Sequence, residues 1–138
     1  MLWLQWKHLS HRVSYVLNKI HALIKVWAKG ICIPVVNFVT YDGVNTEVTV
    51  ESGTNLMQAA LNNGIDSIIA ECGGACSCAT CHCYIDDAWF DKVGQAEEME
   101  QEMISYALNP EANSRLSCQV VVTEDMDGLI IKLPENQY

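Results

Sequence analysis

The spacing of hydrophobic and polar residues changes near residue 34. Between residues 2 and 27, apolar residues recur every three or four positions, separated mainly by basic and polar ones: Leu2, Trp6, Leu9, Val13, Val16, Ile20, Leu23 and Trp27. This spacing places them on one face of a helix. Gly30 and Pro34 then interrupt the pattern. The sequence therefore predicts a basic amphipathic N-terminal extension over residues 1–34 and a separate domain over residues 35–138.

Within that domain, β-branched residues first recur with the two-residue period of a strand. Two such runs, 35–41 and 44–50, flank Asp42-Gly43, a pair that favours a two-residue hairpin turn. A helix is expected to begin at a Thr54 cap and to end at Gly64. A short strand, an acidic helix and two more strands are expected over 83–85, 96–107, 120–123 and 129–133. Several strands without regular α/β alternation predict the α+β class.

The distribution of charge indicates which partners suit the domain. The formal net charge is -9, but the first 34 residues carry five basic residues and no acidic one, so the remainder carries -14. An acidic domain repels nucleic acid and favours proteins with a basic docking face. No apolar run reaches the roughly 18 residues that a membrane span requires. Residues 2–27 suit a membrane surface or a partner groove, with a mitochondrial transit peptide or translated upstream sequence as alternatives.

The chain has seven cysteines, an odd and high number for 138 residues. The N-terminus lacks the apolar core and cleavage site of a signal peptide, so we expect reduced thiols and a cytoplasmic protein. The mitochondrial matrix is the alternative if residues 1–30 are a transit peptide. Five of the cysteines lie within residues 72–83, and Cys118 follows after a long gap. Clustered thiols inside cells bind metal more often than they bind each other.

Several metal or redox sites are compatible with this cluster of cysteines. The residues between them are small, which would allow backbone N–H groups to approach the sulfurs of a 2Fe-2S cluster: Gly73, Gly74, Ala75, Ser77, Ala79 and Thr80. A structural zinc site usually pairs two Cys-x2-Cys knuckles, and only Cys78 and Cys81 have that spacing. A thioredoxin-like dithiol would need the same pair between a strand and a helix. The Gly-Gly pair lacks the Gly-Lys-Ser/Thr of a phosphate-binding loop.

The full spacing, Cys72-x5-Cys78-x2-Cys81 and then Cys118 after 36 residues, resembles the adrenodoxin and putidaredoxin family of 2Fe-2S ferredoxins. Plant-type ferredoxins have four residues in the first gap. The resemblance extends to Thr80-Cys81-His82, to residues 115–119, to Asp127-Gly128 and to Leu133-Pro134. It implies the β-grasp fold and one 2Fe-2S cluster held by Cys72, Cys78, Cys81 and Cys118.

The same resemblance implies an electron carrier rather than an enzyme. Its partners would be an FAD-containing NAD(P)H ferredoxin reductase and a haem-thiolate monooxygenase of the cytochrome P-450 type. In this family an acidic helix docks both partners, which points to Glu98, Glu100 and Glu102, while Tyr138 corresponds to a terminal aromatic contact. Met99 stands where adrenodoxin has an acid, so the interface is expected to be more apolar. The alternatives are a ferredoxin for iron-sulfur cluster assembly and a metal-bearing interaction module without electron transfer.

Three residues near the loop fall outside the implied ligand set. Cys76 is interpreted as a small apolar filler and Cys83 as a core residue of a strand. His82 is expected to hydrogen bond toward the acidic segment, in a structural role rather than as a proton carrier or metal ligand. Cys32 would lie in the linker before the domain.

Overall fold

The computed structural model describes residues 33–138. The predictions made for residues 1–30, including the amphipathic helix and its membrane contact, lie outside the described residues, as does Cys32. Among residues 33–138, no helix has the length and hydropathy needed to cross a membrane. The strands are β1 (Val35–Val39), β2 (Asn45–Thr49), β3 (His82–Ile85), β4 (Ser114–Leu116) and β5 (Leu129–Lys132). The α-helices are α1 (Leu56–Asn62), α2 (Asp87–Val93) and α3 (Glu98–Ile104), and Ser117–Gln119 and Glu124–Met126 are single 3₁₀ turns.

All five strands of the described region form one mixed sheet in the order β2-β1-β5-β3-β4. β1 and β5 are parallel neighbours, and the other pairs are antiparallel. Side chains alternate across β1, where Val36 and Phe38 are fully buried and their neighbours are partly exposed. The sheet and its three helices confirm the predicted α+β class and β-grasp fold.

The hairpin between β1 and β2 forms where Asp42-Gly43 predicts it, but with a longer loop. The N–H of Thr40 donates to the carbonyl of Val44 at 2.9 Å, and that of Gly43 to the carbonyl of Thr40 at 2.9 Å. Three residues therefore form the loop instead of two. Gly43 takes the left-handed position with φ of +88°, which glycine adopts without steric cost.

The predicted strand over residues 120–123 is wrong, although the alternation identified its buried side chains correctly. Val120 and Val122 are buried, yet their backbone bonds go to the segment that enters α1. Leu56 N–H donates to Val120 O and Val122 N–H to Thr54 O, both at 2.9 Å. Within residues 33–138, no strand lies alongside to form a ladder, and a single isolated bridge forms between Asn55 and Val121.

Two further boundaries differ from the sequence-based expectations, and two short elements were not expected. The cap of α1 is Asn55, whose Oδ1 accepts from the N–H of Gln58 at 2.7 Å, instead of the neighbouring Thr54. The acidic helix α3 is shorter than the predicted range 96–107. The helix α2 and the three-residue strand β4 were not predicted. The strand β4 matters for the site, because it ends two residues before Cys118 and pairs with β3, which begins directly after Cys81.

Candidate functional site

The four cysteines predicted as ligands converge from two separate parts of the chain. Three lie in the loop between α1 and β3, and Cys118 lies in the 3₁₀ turn after β4. The N–H of Ser117 donates to the carbonyl of Cys81 at 2.9 Å, which joins the two segments. Cys81 and Cys118 are buried, whereas Cys72 and Cys78 are partly exposed. All six cysteines of the described region are free thiols.

The four thiols are arranged as two pairs. In one pair, the side chains of Cys72 and Cys78 are hydrogen bonded, which helps to lower the pKa of Cys72, and the backbone N–H of Cys72 also donates to Cys78 Sγ at 3.3 Å. In the other, a hydrogen bond from Cys81 lowers the pKa of Cys118 to about 6 and raises that of Cys81. Within residues 33–138, no three Cys, His, Asp or Glu side chains converge on a single ion position. A 2Fe-2S centre places two of its four ligands on each iron, so pairs of thiols are what it requires.

Hydrogen-bond donors surround the sulfurs and favour their thiolate forms. Burial raises the pKa of the Cys72 thiol, but hydrogen bonds from Ser77, Cys78 and the Gly74 backbone outweigh it and lower the pKa to about 6. Gln119 Nε2 donates to Cys118 Sγ at 3.4 Å. Because metal ligation requires thiolates, this donor set fits a negatively charged iron-sulfur centre.

Thr80 joins the start of the cysteine loop to its end by hydrogen bonds. Its carbonyl accepts from the N–H groups of Ile69 and Ala70 at 3.1 and 3.3 Å. Its buried hydroxyl accepts from the N–H of Glu71 at 2.9 Å and lies 3.0 Å from Cys78 Sγ. Since the hydroxyl oxygen already accepts that bond, its own hydrogen is free to donate to the sulfur. Thr80 therefore fixes the loop entrance and one ligand together.

The loop contains an unusual number of residues with left-handed backbone. Gly73 and Gly74 have φ of +64° and +96°, and the non-glycine residues Cys76 and Ala79 have +53° and +55°. Such strain costs about 1–3 kcal/mol per non-glycine residue and is typical of functional sites. The N–H of Cys76 helps to lower the pKa of Cys118, while burial, followed by the nearby Cys118, raises the pKa of Cys76 itself. Its backbone thus serves the site directly.

Gly74→Ala is expected to destabilise the protein more than Gly73→Ala. Both positions have positive φ, so both variants bear a similar backbone cost. A Cβ on Gly74 would also lie 3.3 Å from Met57 Cε and 3.7 Å from Cys118 Cβ, whereas one on Gly73 would meet nothing within 4 Å. The extra crowding should lower the free energy of unfolding by about 1–3 kcal/mol relative to Gly73→Ala, measured by urea titration. Equal unfolding midpoints would show that Gly74 is not tightly packed.

The structure corrects the prediction that Glu100 belongs to an exposed docking face. Its side chain is only 4% exposed and bonds Arg115 through both carboxylate oxygens, at 2.7 and 3.0 Å. Glu100 Oε1 also accepts from the N–H of Leu116 at 2.9 Å. Glu98 and Glu102 are exposed as predicted. Glu100 lies on the inward face of the helix, like the buried Ile104 four residues later. This spacing is the sequence signal that distinguishes Glu100 from Glu98 and Glu102.

The expectation for His82 is also corrected. His82 is buried, and its Nε2 lies 2.8 Å from Ser114 Oγ on the neighbouring strand β4 instead of bonding the acidic segment. Burial lowers its pKa to about 4, so the ring is neutral near pH 7. Tyr138 is 68% exposed and its hydroxyl bonds the Glu71 carboxylate beside Cys72. Gln137 is also buried beside the loop, although no motif in the sequence indicates a role for it.

Comparison with known proteins gives consistent results along the domain. The model of the 2Fe-2S iron-sulfur cluster binding domain matches residues 39–123. The chain is 50% identical to rhodocoxin of Rhodococcus erythropolis over 105 residues, which cover 75% of this chain and 98% of rhodocoxin. A crystal structure of a reduced putidaredoxin variant from Pseudomonas putida is similar with a TM-score of 0.74 and 43% identity, covering 75% of this chain and 99% of that one.

A further similar chain occurs in the crystal structure of the covalent putidaredoxin reductase-putidaredoxin complex. The TM-score is 0.68 and the identity 45%, with 72% of this chain and 97% of that chain covered. The relatives thus span nearly their whole lengths on this domain.

Proposed function

Because this chain belongs to the family of 2Fe-2S ferredoxins, we propose that it carries single electrons from an FAD-containing NAD(P)H ferredoxin reductase to a haem-thiolate monooxygenase of the cytochrome P-450 type. It binds one 2Fe-2S cluster and is an electron-transfer protein rather than an enzyme. The observation that carries the proposal is the pairing of four thiols directly beside an exposed acidic helix. Glu100 connects the two features, since it extends from α3 to the strand that precedes Cys118.

Cys72 and Cys78 would hold one iron, and Cys81 and Cys118 the other, in keeping with the two thiol pairs. When bound, the cluster supplies a centre that accepts and donates one electron. Formal charges give an oxidised centre of roughly -2, counting its four thiolates. Reduction would add a further negative charge within an acidic domain, so the reduction potential of the cluster is expected to be low. Thr80 and Gln119, which lie against Cys78 Sγ and Cys118 Sγ, stabilise the added charge and moderate that effect.

The docking face we propose consists of Glu98, Met99 and Glu102 on α3, together with Tyr138. All four side chains are exposed, and Met99 and Tyr138 are 69% and 68% exposed. A surface in which acidic side chains surround exposed apolar and aromatic ones suits a transient complex. In such complexes the charged residues mainly set the rate of association. The reductase bound to putidaredoxin in the similar complex supports a reductase as one partner. The relatives come from bacteria, which favours the cytoplasm over the mitochondrial matrix.

The first test of the proposal is spectroscopic and kinetic. The purified protein is expected to be red-brown, to bleach on uptake of one electron, and to be reduced by NADH through a reductase such as putidaredoxin reductase. A colourless, metal-replete protein would contradict cluster binding. A protein that the reductase reduces but that delivers no electrons to a P-450 monooxygenase would favour the cluster-assembly role.

Removing two charges from α3 should slow reduction by the reductase. At low ionic strength we expect the Glu98→Gln/Glu102→Gln variant to show an association rate about tenfold lower, because the attraction to a basic docking face is weakened. The matched control is Glu47→Gln/Glu51→Gln, which makes the same charge change beside β2, at the opposite edge of the sheet from β4 and α3. The difference should disappear at high salt. Equal slowing in both variants would indicate a general charge effect without a localised docking face.

A further inference from the structure

Gln137 is the second-last residue of the chain, yet its side chain is held as firmly as a core residue. It is only 8% exposed and makes three hydrogen bonds. Gln137 Oε1 accepts from the N–H of His82 at 3.2 Å. Gln137 Nε2 donates to the carbonyls of His82 and Ser67 at 2.9 and 2.8 Å. Both N–H groups and the oxygen of the carboxamide therefore take part in hydrogen bonds.

The sheet explains why a side chain is needed at this point. β3 and β5 pair antiparallel, with Tyr84 opposite Lys132. Two residues further in the same register, Pro134 would stand opposite His82, but proline has no N–H to donate. β5 accordingly ends at Lys132. The carboxamide of Gln137 replaces the missing strand by bonding both backbone groups of His82, which would otherwise be buried and unpaired.

The third hydrogen bond extends this contact across the cysteine loop. Ser67 lies five residues before Cys72, and His82 directly follows Cys81. One side chain thus joins the entrance and the exit of the loop that carries three of the four proposed ligands. The next residue, Tyr138, places its hydroxyl on the carboxylate of Glu71, which directly precedes Cys72. The location of Tyr138 beside the loop therefore depends on Gln137.

We propose that Gln137 is a positioning residue for electron transfer, which joins the ends of the cysteine loop and presents Tyr138 beside Cys72 to the redox partner. The inference rests on the proposed function in one respect, the contact role of Tyr138. Gln137 itself is buried, so it acts through Tyr138 and through the loop without touching the partner.

The test compares Gln137→Glu, Tyr138→Ala and the double variant in the full-length, cluster-loaded protein. The glutamate has the shape of glutamine and keeps an acceptor for the N–H of His82, but its carboxylate faces two carbonyl oxygens and cannot donate to them. We expect each single variant to raise the KM of putidaredoxin reductase for the ferredoxin about tenfold, with NADH as the electron donor. The double variant should be no worse than the poorer single one, because both changes remove the same contact. Reduction by dithionite, which needs no docking, should keep its rate in all three.

Hydrogen exchange of the His82 amide gives an independent readout. It should accelerate at least tenfold in Gln137→Glu and stay unchanged in Tyr138→Ala, because only the first variant disrupts the backbone contact. The proposal is overturned if Gln137→Glu leaves both KM and exchange unchanged, or if its effects on KM add fully to those of Tyr138→Ala. Slower reduction by dithionite or loss of the cluster in Gln137→Glu would assign Gln137 a purely structural role. Failure of the proposed function would appear earlier, as an unsubstituted protein that the reductase cannot reduce.

Discussion

Cys118→Ser is expected to yield a protein without its 2Fe-2S cluster, whereas Cys76→Ser and Cys83→Ser should retain it. Cys118 has a pKa of about 6, set first by the hydrogen bond from Cys81, and therefore provides a thiolate near pH 7. A serine hydroxyl stays protonated at that pH and is a poor ligand for iron. Cys72→Ser, Cys78→Ser and Cys81→Ser should also lose the cluster, because each removes one of the four proposed ligands. Iron and acid-labile sulfide per chain, together with visible circular dichroism, measure the outcome.

Two neighbouring cysteines serve as matched controls for the ligand assignment. Cys83 is fully buried and burial raises its pKa to about 12, so it remains a thiol, with its Sγ 3.5 Å from the carbonyl of Arg115. Cys76 lies inside the loop and is the more demanding control. If Cys76→Ser lost the cluster while Cys72→Ser kept it, the assignment would have to move from Cys72 to Cys76. Loss of the cluster in all six variants would indicate general instability of the loop.

Glu100→Gln is expected to lower the free energy of unfolding by about 3–5 kcal/mol, the usual cost of breaking a buried ion pair. Arg115 is only 6% exposed, and its remaining hydrogen bond, from Nη1 to the carbonyl of Gly94 at 2.7 Å, does not neutralise its charge. The N–H of Leu116 would also lose its carboxylate acceptor and face a neutral amide, which accepts a weaker hydrogen bond. Urea unfolding of the cluster-loaded protein measures the change. Glu98→Gln, on the same helix but exposed, should change stability by less than about 0.5 kcal/mol.

A second comparison separates the loss of a partner from the loss of the charge pair itself. Glu100→Leu/Arg115→Met replaces both partners by apolar side chains and should be more stable than Glu100→Gln, because no buried charge is left unpaired. If the double variant is instead the least stable, the hydrogen bonds to Leu116 and Gly94 contribute more than the ion pair. The ion pair also bears on partner docking. The pair fixes α3 against β4, and therefore fixes the proposed docking face relative to Cys118.

Features that depend on neighbouring residues along the chain could be predicted from the sequence. The spacing of Cys72, Cys78 and Cys81 lies within a single loop, and the small residues between them are a local requirement of close backbone approach. The hairpin at Gly43 and the alternation along β1 have the same local origin. The length of the hairpin loop was missed because Asp-Gly suits two-residue and three-residue loops alike.

The remaining features depend on partners that are distant in sequence. The strand β4 has only three residues, all of them buried, and exists because β3 lies beside it. Residues 120–123 do alternate, but within residues 33–138 they form a single isolated bridge and pair with no strand. Glu100 carries the same charge as Glu98 and Glu102, and only Arg115, fifteen residues away, makes it a buried anchor. Gln137 acquires its role because the β5 register reaches Pro134. The sequence by itself thus determined the fold class and the chemistry of the cysteine loop, since both follow from local spacing. Tertiary structure alone decided which acidic residues face a partner and what holds the loop closed, because burial and pairing are set by the packing of distant segments.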